Sequence, residues 1–251
     1  MHRVRENTKR AVIIGATSGI GKAIAHTLLE KGWKLGIAGR REELLKEIQQ
    51  TNSNSVVYEV MDVNAKDAPQ QLKKLIFKLG GMDLYLYSAG YGRLNPSLDL
   101  TLETDTVKTN VMGFVTLIHT AFHFFQKQKY GHIAAITSVA GRRGIGMNAS
   151  YSATKRFQMT YLSSLAQLAN NNKYNISVSD IQPGFVKTDF INYSYPMQME
   201  VDYVARKIVK GLSKKRRKII VDWRYRCLVF VWHLIPGVLW ERINLLSFAK
   251  K

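Results

Sequence analysis

Short apolar runs alternate along the chain with longer stretches in which apolar residues return every three or four positions. The two periods separate strands from helices. The short runs predict strands at 11–14, 34–38, 55–60, 83–87, 132–137, 176–181 and 218–221. The amphipathic stretches predict helices over 19–31, 41–50, 65–79, 101–127, 150–170 and 200–213. Strands separated by helices imply a parallel sheet covered on both faces. The expected fold class is therefore α/β, a doubly wound parallel sheet of Rossmann type, in one domain over residues 1–222.

Residues 223–251 break this alternation. Segment 227–240 is almost wholly apolar, interrupted by Pro236-Gly237, and carries Trp232 and Trp240. Arg216, Arg217, Lys218, Arg224, Arg226 and Arg242 flank it. Basic flanks with interfacial tryptophans suit a segment, 223–248, lying on an anionic membrane surface. Packing on its own domain or across an oligomer interface fits the same residues, and both readings stay open. No stretch reaches the roughly 20 apolar residues of a membrane-spanning helix.

Composition changes this picture little, and charge changes it more. Hydrophobic residues make up 46% of the chain, enough for a core that needs no disulfide or metal staple. Cys227 is the only cysteine, so no intrachain disulfide can form. The net charge of +19 points to nucleic acid, an anionic membrane surface or an anionic cofactor. No nucleic-acid motif is present and the basic residues are spread along the chain, so no nucleic-acid partner is expected. Residues 1–10 are polar and basic and do not form a secretory signal. The expected location is cytoplasmic, peripheral on a membrane if the tail meets lipid.

The first strand runs into Gly15-Ala16-Thr17-Ser18-Gly19-Ile20-Gly21, and a helix follows. Glycines here permit a tight turn and let backbone amides approach a pyrophosphate, while the helix N-terminus adds its positive end. Turns also use glycine for steric reasons alone. The second strand ends at Ala38-Gly39-Arg40-Arg41. Sites that choose NAD place a carboxylate at this point, whereas an arginine suits the 2′-phosphate of NADPH. Arg40 thus favours NADPH over NADH, unless both arginines only open a solvated helix. Asp62-Val63 follows the third strand, where the carboxylate could accept from an adenine amino group or cap the next helix.

Tyr151 and Lys155 stand four apart at the start of a long predicted helix, so both project from one face. Reduction of a carbonyl needs a proton donor, and a neighbouring ammonium is expected to stabilise the phenolate and lower the tyrosine pKa. Amphipathic helices also produce such pairs by chance. The full set is harder to assemble that way: Gly15–Gly21, Asp62-Val63, Ser88-Ala89-Gly90, Asn110-Val111-Met112-Gly113, Ser138, Tyr151 with Lys155, and Pro183-Gly184.

In order and spacing these motifs resemble the short-chain dehydrogenase/reductase family, in its smaller single-domain subtype, over about residues 9–222. The resemblance implies an NAD(P)-dependent oxidoreductase acting on alcohols or carbonyls. Its catalytic set would be Asn110, Ser138, Tyr151 and Lys155, with Tyr151 as general acid or base and Ser138 orienting the substrate oxygen. Lys155 would bind ribose and tune Tyr151, and Asn110 would hold a water in a proton relay. Gly15, Thr17, Ser18, Gly19, Ile20, Gly21, Asp62, Val63, Ala89, Gly90, Pro183, Gly184, Val186 and Thr188 fall where family members line the cofactor groove. The family's usual Asn-Asn-Ala-Gly reads Tyr87-Ser88-Ala89-Gly90 here, and Ser18 stands where NADPH-preferring members often carry a basic residue. No metal site is expected.

The substrate should meet the loops after strands four, five and six. They contain Tyr91 and Arg93, then Arg142 and Arg143, then a stretch with Phe190, Tyr193, Tyr195, Met197 and Met199. An aromatic and methionine lid favours an apolar substrate, although such residues also simply cover a sheet edge. The arginines suit either an anionic head group or solvent. With the tail, these features are similar to 3-ketosphinganine reductases and polyprenyl-phosphate-pentose keto-reductases, so the expected reaction reduces a hydrophobic or lipid-linked ketone. Apolar positions in 114–125 and 157–166 fit either core or the helix pair of a homodimer or homotetramer. A nucleotide-sensing regulator or scaffold on the same fold is the alternative, which an intact Asn-Ser-Tyr-Lys set argues against.

Overall fold

The computed structural model describes residues 8–189 and 195–243. Seven strands, β1 (Arg10–Ile14), β2 (Lys34–Gly39), β3 (Val56–Val60), β4 (Leu84–Tyr87), β5 (Tyr130–Ile136), β6 (Asn175–Gln182) and β7 (Lys218–Ile220), form one sheet. Their order is β3-β2-β1-β4-β5-β6-β7, and every pair is parallel. Ile14 stands opposite both Ala38 and Tyr87, and Tyr87 opposite Ala135. The central strands therefore end together, and their following loops emerge along one edge. The order reverses between β1 and β4, which opens a crevice there.

The helices are α1 (Gly19–Leu29), α2 (Glu42–Gln50), α3 (Ala68–Leu79), α4 (Leu100–Val107), α5 (Phe114–Gln128), α6 (Ala149–Asn171), α7 (Val201–Ser213), α8 (Trp223–Leu234) and α9 (Gly237–Trp240). Their apolar stripes bury two separate cores. One joins Ile24 and Leu28 of α1, Leu45 of α2 and Ile208 of α7 to β1 and β2 through Ile13 and Ile37. The other joins Leu72 of α3, Phe114 and Leu117 of α5 and Leu162 of α6 to Val12, Tyr85 and Ile133. The sheet is thus covered on both faces, and the doubly wound α/β class expected from the periodicity is what the chain adopts.

One element differs from the expected pattern. The helix predicted over 101–127 is interrupted by a π-helical turn, Lys108–Gly113. Widening the helix there turns Asn110 fully inward, and such bulges occur often at functional sites. A Cβ at Gly113 would lie 2.8 Å from the Val63 carbonyl oxygen, so the turn closes directly on the loop after β3.

The tail, for which both packing and a membrane surface stood open, has its described part packed on the sheet end. Tyr225 of α8 is fully buried against Gly184, where a Cβ would meet its ring. Its hydroxyl accepts from the Phe185 N–H at 2.9 Å and donates to the Met197 carbonyl at 3.1 Å. Arg143 donates to the carbonyls of Trp232 and Ile235 at the end of α8, which the helix leaves without partners. Trp240 donates to the Gly144 carbonyl at 2.7 Å and carries the Arg143 guanidinium over its ring. One face of the tail is therefore committed to its own domain. The other face leaves Trp223, Phe230, Leu234 and Val238 each more than 60% exposed. Among the described residues no helix is long and apolar enough to cross a membrane. Positions 244–248 of the expected lipid segment lie outside the described residues.

Replacing Tyr225 by phenylalanine keeps the packing and removes both hydrogen bonds. Denaturant unfolding of Tyr225→Phe should show a stability loss of about 1–2 kcal/mol. An unchanged midpoint would contradict a structural role for α8.

Candidate functional site

The crevice at the strand reversal is lined first by the β1–α1 turn. Gly15 adopts φ +85° with its Cα against the loop after β4, where a Cβ would come 2.7 Å from the Ala89 nitrogen. A Cβ at Gly21 would lie 2.1 Å from the Gly15 carbonyl oxygen. Glycine is sterically required at both, and the turn folds tightly onto the start of α1. Ser18 stands at the helix entry without a side-chain capping bond. Ile20 packs on the core and Thr188 reaches over Gly19, so the loop after β6 meets the glycine turn.

At the end of β2, Arg40 is exposed. Its neighbour Arg41 is the arginine that reaches the glycine turn, donating to Thr17 Oγ1 at 2.9 Å and Ser18 Oγ at 2.6 Å. The next acidic residues, Glu42 and Glu43, are turned to Lys46. Asp62 is exposed after β3 and accepts from the Asn64 N–H at 2.9 Å in a local turn. Ala89 and Gly90 follow β4. Pro183, Gly184 and the buried Val186 follow β6, where Val186 bridges to Met199.

Asn110 joins these loops to α6. Its side chain accepts from the Tyr91 N–H at 2.9 Å and donates to the Tyr91 carbonyl at 2.7 Å and to Thr154 Oγ1 at 3.1 Å. The pair of bonds fixes the loop after β4 beside the first turns of α6. Ser138 caps the short 3-10 turn Val139–Arg142, with its Oγ accepting from the Ala140 N–H. That strand end is held by Thr137, which donates at 2.6 Å to the buried Asp180, and by Arg142, whose guanidinium donates to Gln182.

Tyr151 is hydrogen-bonded to Ser138, and its ring presses on Gly92, where a Cβ would fall 2.3 Å from the ring. Burial pushes the phenol up to about 12, and the bond to Ser138 pulls the other way. This reverses the lowering expected from the Tyr-x-x-x-Lys spacing. Lys155 does not offset the burial, and its nitrogen is 5.6 Å from the tyrosine ring centroid. It donates instead to the Ile136 carbonyl and to Gln158 Oε1, each at 3.1 Å. Burial pulls Lys155 down to about 8, against an opposing effect from Asp180. At neutral pH both groups are protonated: a phenol with a proton to give, beside a cation.

Asn110, Ser138, Tyr151 and Lys155 thus converge at one place beside the glycine turn. Arg142 and Arg143 are engaged within the fold, by Gln182 and by the end of α8. In the loop after β6, Met199 is buried, while Phe185 stacks on Tyr195 at 4.1 Å with Met197 partly exposed beside them. Phe190 and Tyr193 lie outside the described residues. Sequence reasoning missed Thr154 and Gln158. Their spacing of three and seven from Tyr151 puts them on its helix face, which is the signal that could have found them.

Comparison with known proteins agrees with this geometry. Residues 9–198 match the model of the family described as short chain dehydrogenase. An uncharacterized oxidoreductase of Staphylococcus epidermidis is 34% identical over 222 residues, covering 85% of this chain and 94% of that one. A short-chain dehydrogenase/reductase from Burkholderia phymatum, solved in complex with NAD, superposes with a TM-score of 0.81 at 20% identity, covering 94% of this chain and 96% of that one. A short-chain dehydrogenase from Burkholderia cenocepacia, solved with NADP, also gives 0.81, at 19% identity, with 94% and 97% covered. At these identities the two structures speak for the fold.

Proposed function

The chain belongs to the short-chain dehydrogenase family, and from that premise we propose that it is an NADPH-dependent reductase converting an apolar ketone into a secondary alcohol. Membership makes it an NAD(P)-dependent oxidoreductase with a small-molecule substrate. The observation that carries the finer reading is the set of half-buried Ser138 and Tyr151 with buried Lys155, beside a glycine turn that has no room for side chains at Gly15 and Gly21. That cradle fits a dinucleotide, with Gly15, Thr17, Ser18, Gly19, Ile20 and Gly21 along the pyrophosphate. Asp62 and Val63 would flank the adenine. Ala89, Gly90, Pro183, Gly184, Val186 and Thr188 would line the nicotinamide half.

When bound, the nicotinamide supplies the hydride. The residues of the chain manage the proton. Ser138 holds the substrate oxygen, and Tyr151 donates its phenolic proton as negative charge develops there. A phenol near 12 still gives its proton readily to an alkoxide. The Lys155 ammonium then steadies the phenolate. Asn110 fixes the loop after β4 beside them through both main-chain groups of Tyr91. Phenylalanine at 151 preserves the packing and removes the proton. Tyr151→Phe should lower turnover at least about a hundredfold, with cofactor affinity from fluorescence titration little changed. Near-native turnover would remove Tyr151 from the mechanism.

Preference for NADPH rests on two arginines at the end of β2. Arg40 is exposed there and Arg41 already bridges the glycine-turn hydroxyls. A 2′-phosphate between them would gain charged hydrogen bonds, where NADH offers only a hydroxyl. NADPH should bind more tightly than NADH by about 1–3 kcal/mol. Arg40→Ala and Arg41→Ala should each narrow the gap. Equal affinities in the native protein would contradict the preference.

The substrate and its source are read from the tail and the neighbouring loop. The Phe185–Tyr195 stack presents apolar surface beside the site. Along α8, Trp223, Cys227, Phe230, Val231 and Leu234 form one exposed helical stripe, continued by Val238 and Leu239. Arg224, Arg226 and Arg242 border it on a chain of net charge +19. That pairing of apolar stripe and positive rim fits an anionic bilayer, at which a lipid-like ketone would be met. The full-length chain should co-sediment with phosphatidylserine vesicles at low salt and poorly with neutral ones. Phe230→Glu combined with Leu234→Glu spares the buried Tyr225 and should abolish binding. Equal sedimentation of that variant would exclude this face as the lipid contact.

A further inference from the structure

We infer that Gln158 is a positioning residue: its buried carboxamide bridges the Lys155 ammonium to the main-chain carbonyl of Asn110, so a side chain holds the lysine in place. Gln158 is fully buried on α6. A primary amide in such a place is costly unless its polar atoms are matched. Here the Oε1 accepts from Lys155 Nζ at 3.1 Å and the Nε2 donates to the Asn110 carbonyl at 2.8 Å. The far end of the bridge is rigid, because the Asn110 side chain is bonded to Tyr91 and Thr154.

The bridge also counts out the protons of the ammonium. One goes to the Ile136 carbonyl and one to Gln158, leaving a single N–H without a protein acceptor among the described residues. A Cβ on Gly90 would lie 3.5 Å from the same nitrogen, so glycine keeps that approach narrow and open. An amide does not pass a proton onward as a water does. Gln158 therefore fixes where the remaining N–H can point and favours the charged form of Lys155 through its carbonyl oxygen.

The titratable groups facing Lys155 are Tyr151 on its own helix and Asp180 on β6. The π-helical turn, the loop after β4 and β5 present the uncharged Asn110, Gly90 and the Ile136 carbonyl. A change at 158 should thus act on Lys155 with a predictable sign. Burial already lowers it to about 8. Gln158→Leu removes an acceptor of the ammonium and should lower Lys155 further, by about one pH unit. Gln158→Glu puts a carboxylate at the same place and should raise it.

The inference rests on the role given to Lys155 in the proposed reaction, but its test does not. Carbon-labelled lysine, with the Lys155 signal assigned by Lys155→Met, gives the titration midpoint by NMR in the cofactor-free protein. The alkaline limb of kcat against pH reports the same group in the complex with cofactor and substrate. Opposite displacements of the NMR midpoint in the two variants support the bridge. Displacements in NMR that leave kcat profiles unmoved would keep the bridge and overturn the role of Lys155. An unmoved midpoint in both variants overturns the bridge, as does a shift of the same sign in both. If Gln158→Leu does not fold, an unmoved or lowered midpoint in Gln158→Glu alone overturns it.

Discussion

The Asn110 carboxamide is the tie on which the arrangement of the site depends. Buried at the inner side of a π-helical turn, it takes both main-chain groups of Tyr91 and the hydroxyl of Thr154. Three segments far apart in the chain are thereby fixed to one another: the loop after β4, the turn between α4 and α5, and the first turns of α6. A helix of ordinary pitch would carry residue 110 past this position. The widened turn exchanges regular hydrogen bonding for a buried polar anchor, which is stable because every polar atom of that side chain is matched.

From this anchor the electrostatics follow. Lys155 sits where the sheet edge and α6 exclude water, so its ammonium is disfavoured and its partners matter more than they would at a surface. Tyr151 is raised by the same burial, and only Ser138 opposes it. The two groups do not form the close ion pair that their spacing invites. They stand as a protonated phenol near a held cation, which suits donation to a developing alkoxide. At the same edge of the sheet, Tyr225 and Arg143 draw the tail onto the loops after β6 and β5. The substrate side of the crevice is therefore coupled to the segment whose outer stripe is apolar.

Much of this was legible in the sequence, because the strands are buried runs and the helices carry clear stripes. All seven strands stand within two residues of their expected bounds. The glycine turn, Ser138 and the Tyr151/Lys155 pair were legible for a related reason: each needs particular residue types at a fixed offset from a strand or helix end. What was not legible depends on contacts between distant segments. The π turn at 108–113 has no local signature stronger than the helical period around it. Arg41 looks equivalent to Arg40 until the loop bends its side chain back to Thr17 and Ser18. Gln158 reads as an ordinary polar helix position until Asn110 is brought opposite it. Tyr225, within an apolar tail, gives no hint that its hydroxyl joins two main-chain groups around the loop after β6.

The central claim is that this site passes a proton from Tyr151 to a ketone oxygen while reduced NADPH delivers to the carbon. Transfer of isotope tests it most directly. The native protein would be given NADPH deuterated at the reactive C4 position, with a panel of apolar ketones, and the alcohols analysed by mass spectrometry. The account predicts an alcohol carrying one deuterium on its carbinol carbon, formed in step with NADPH consumption. Alcohol free of label, or no NADPH-dependent reduction of any ketone in the panel, would contradict it.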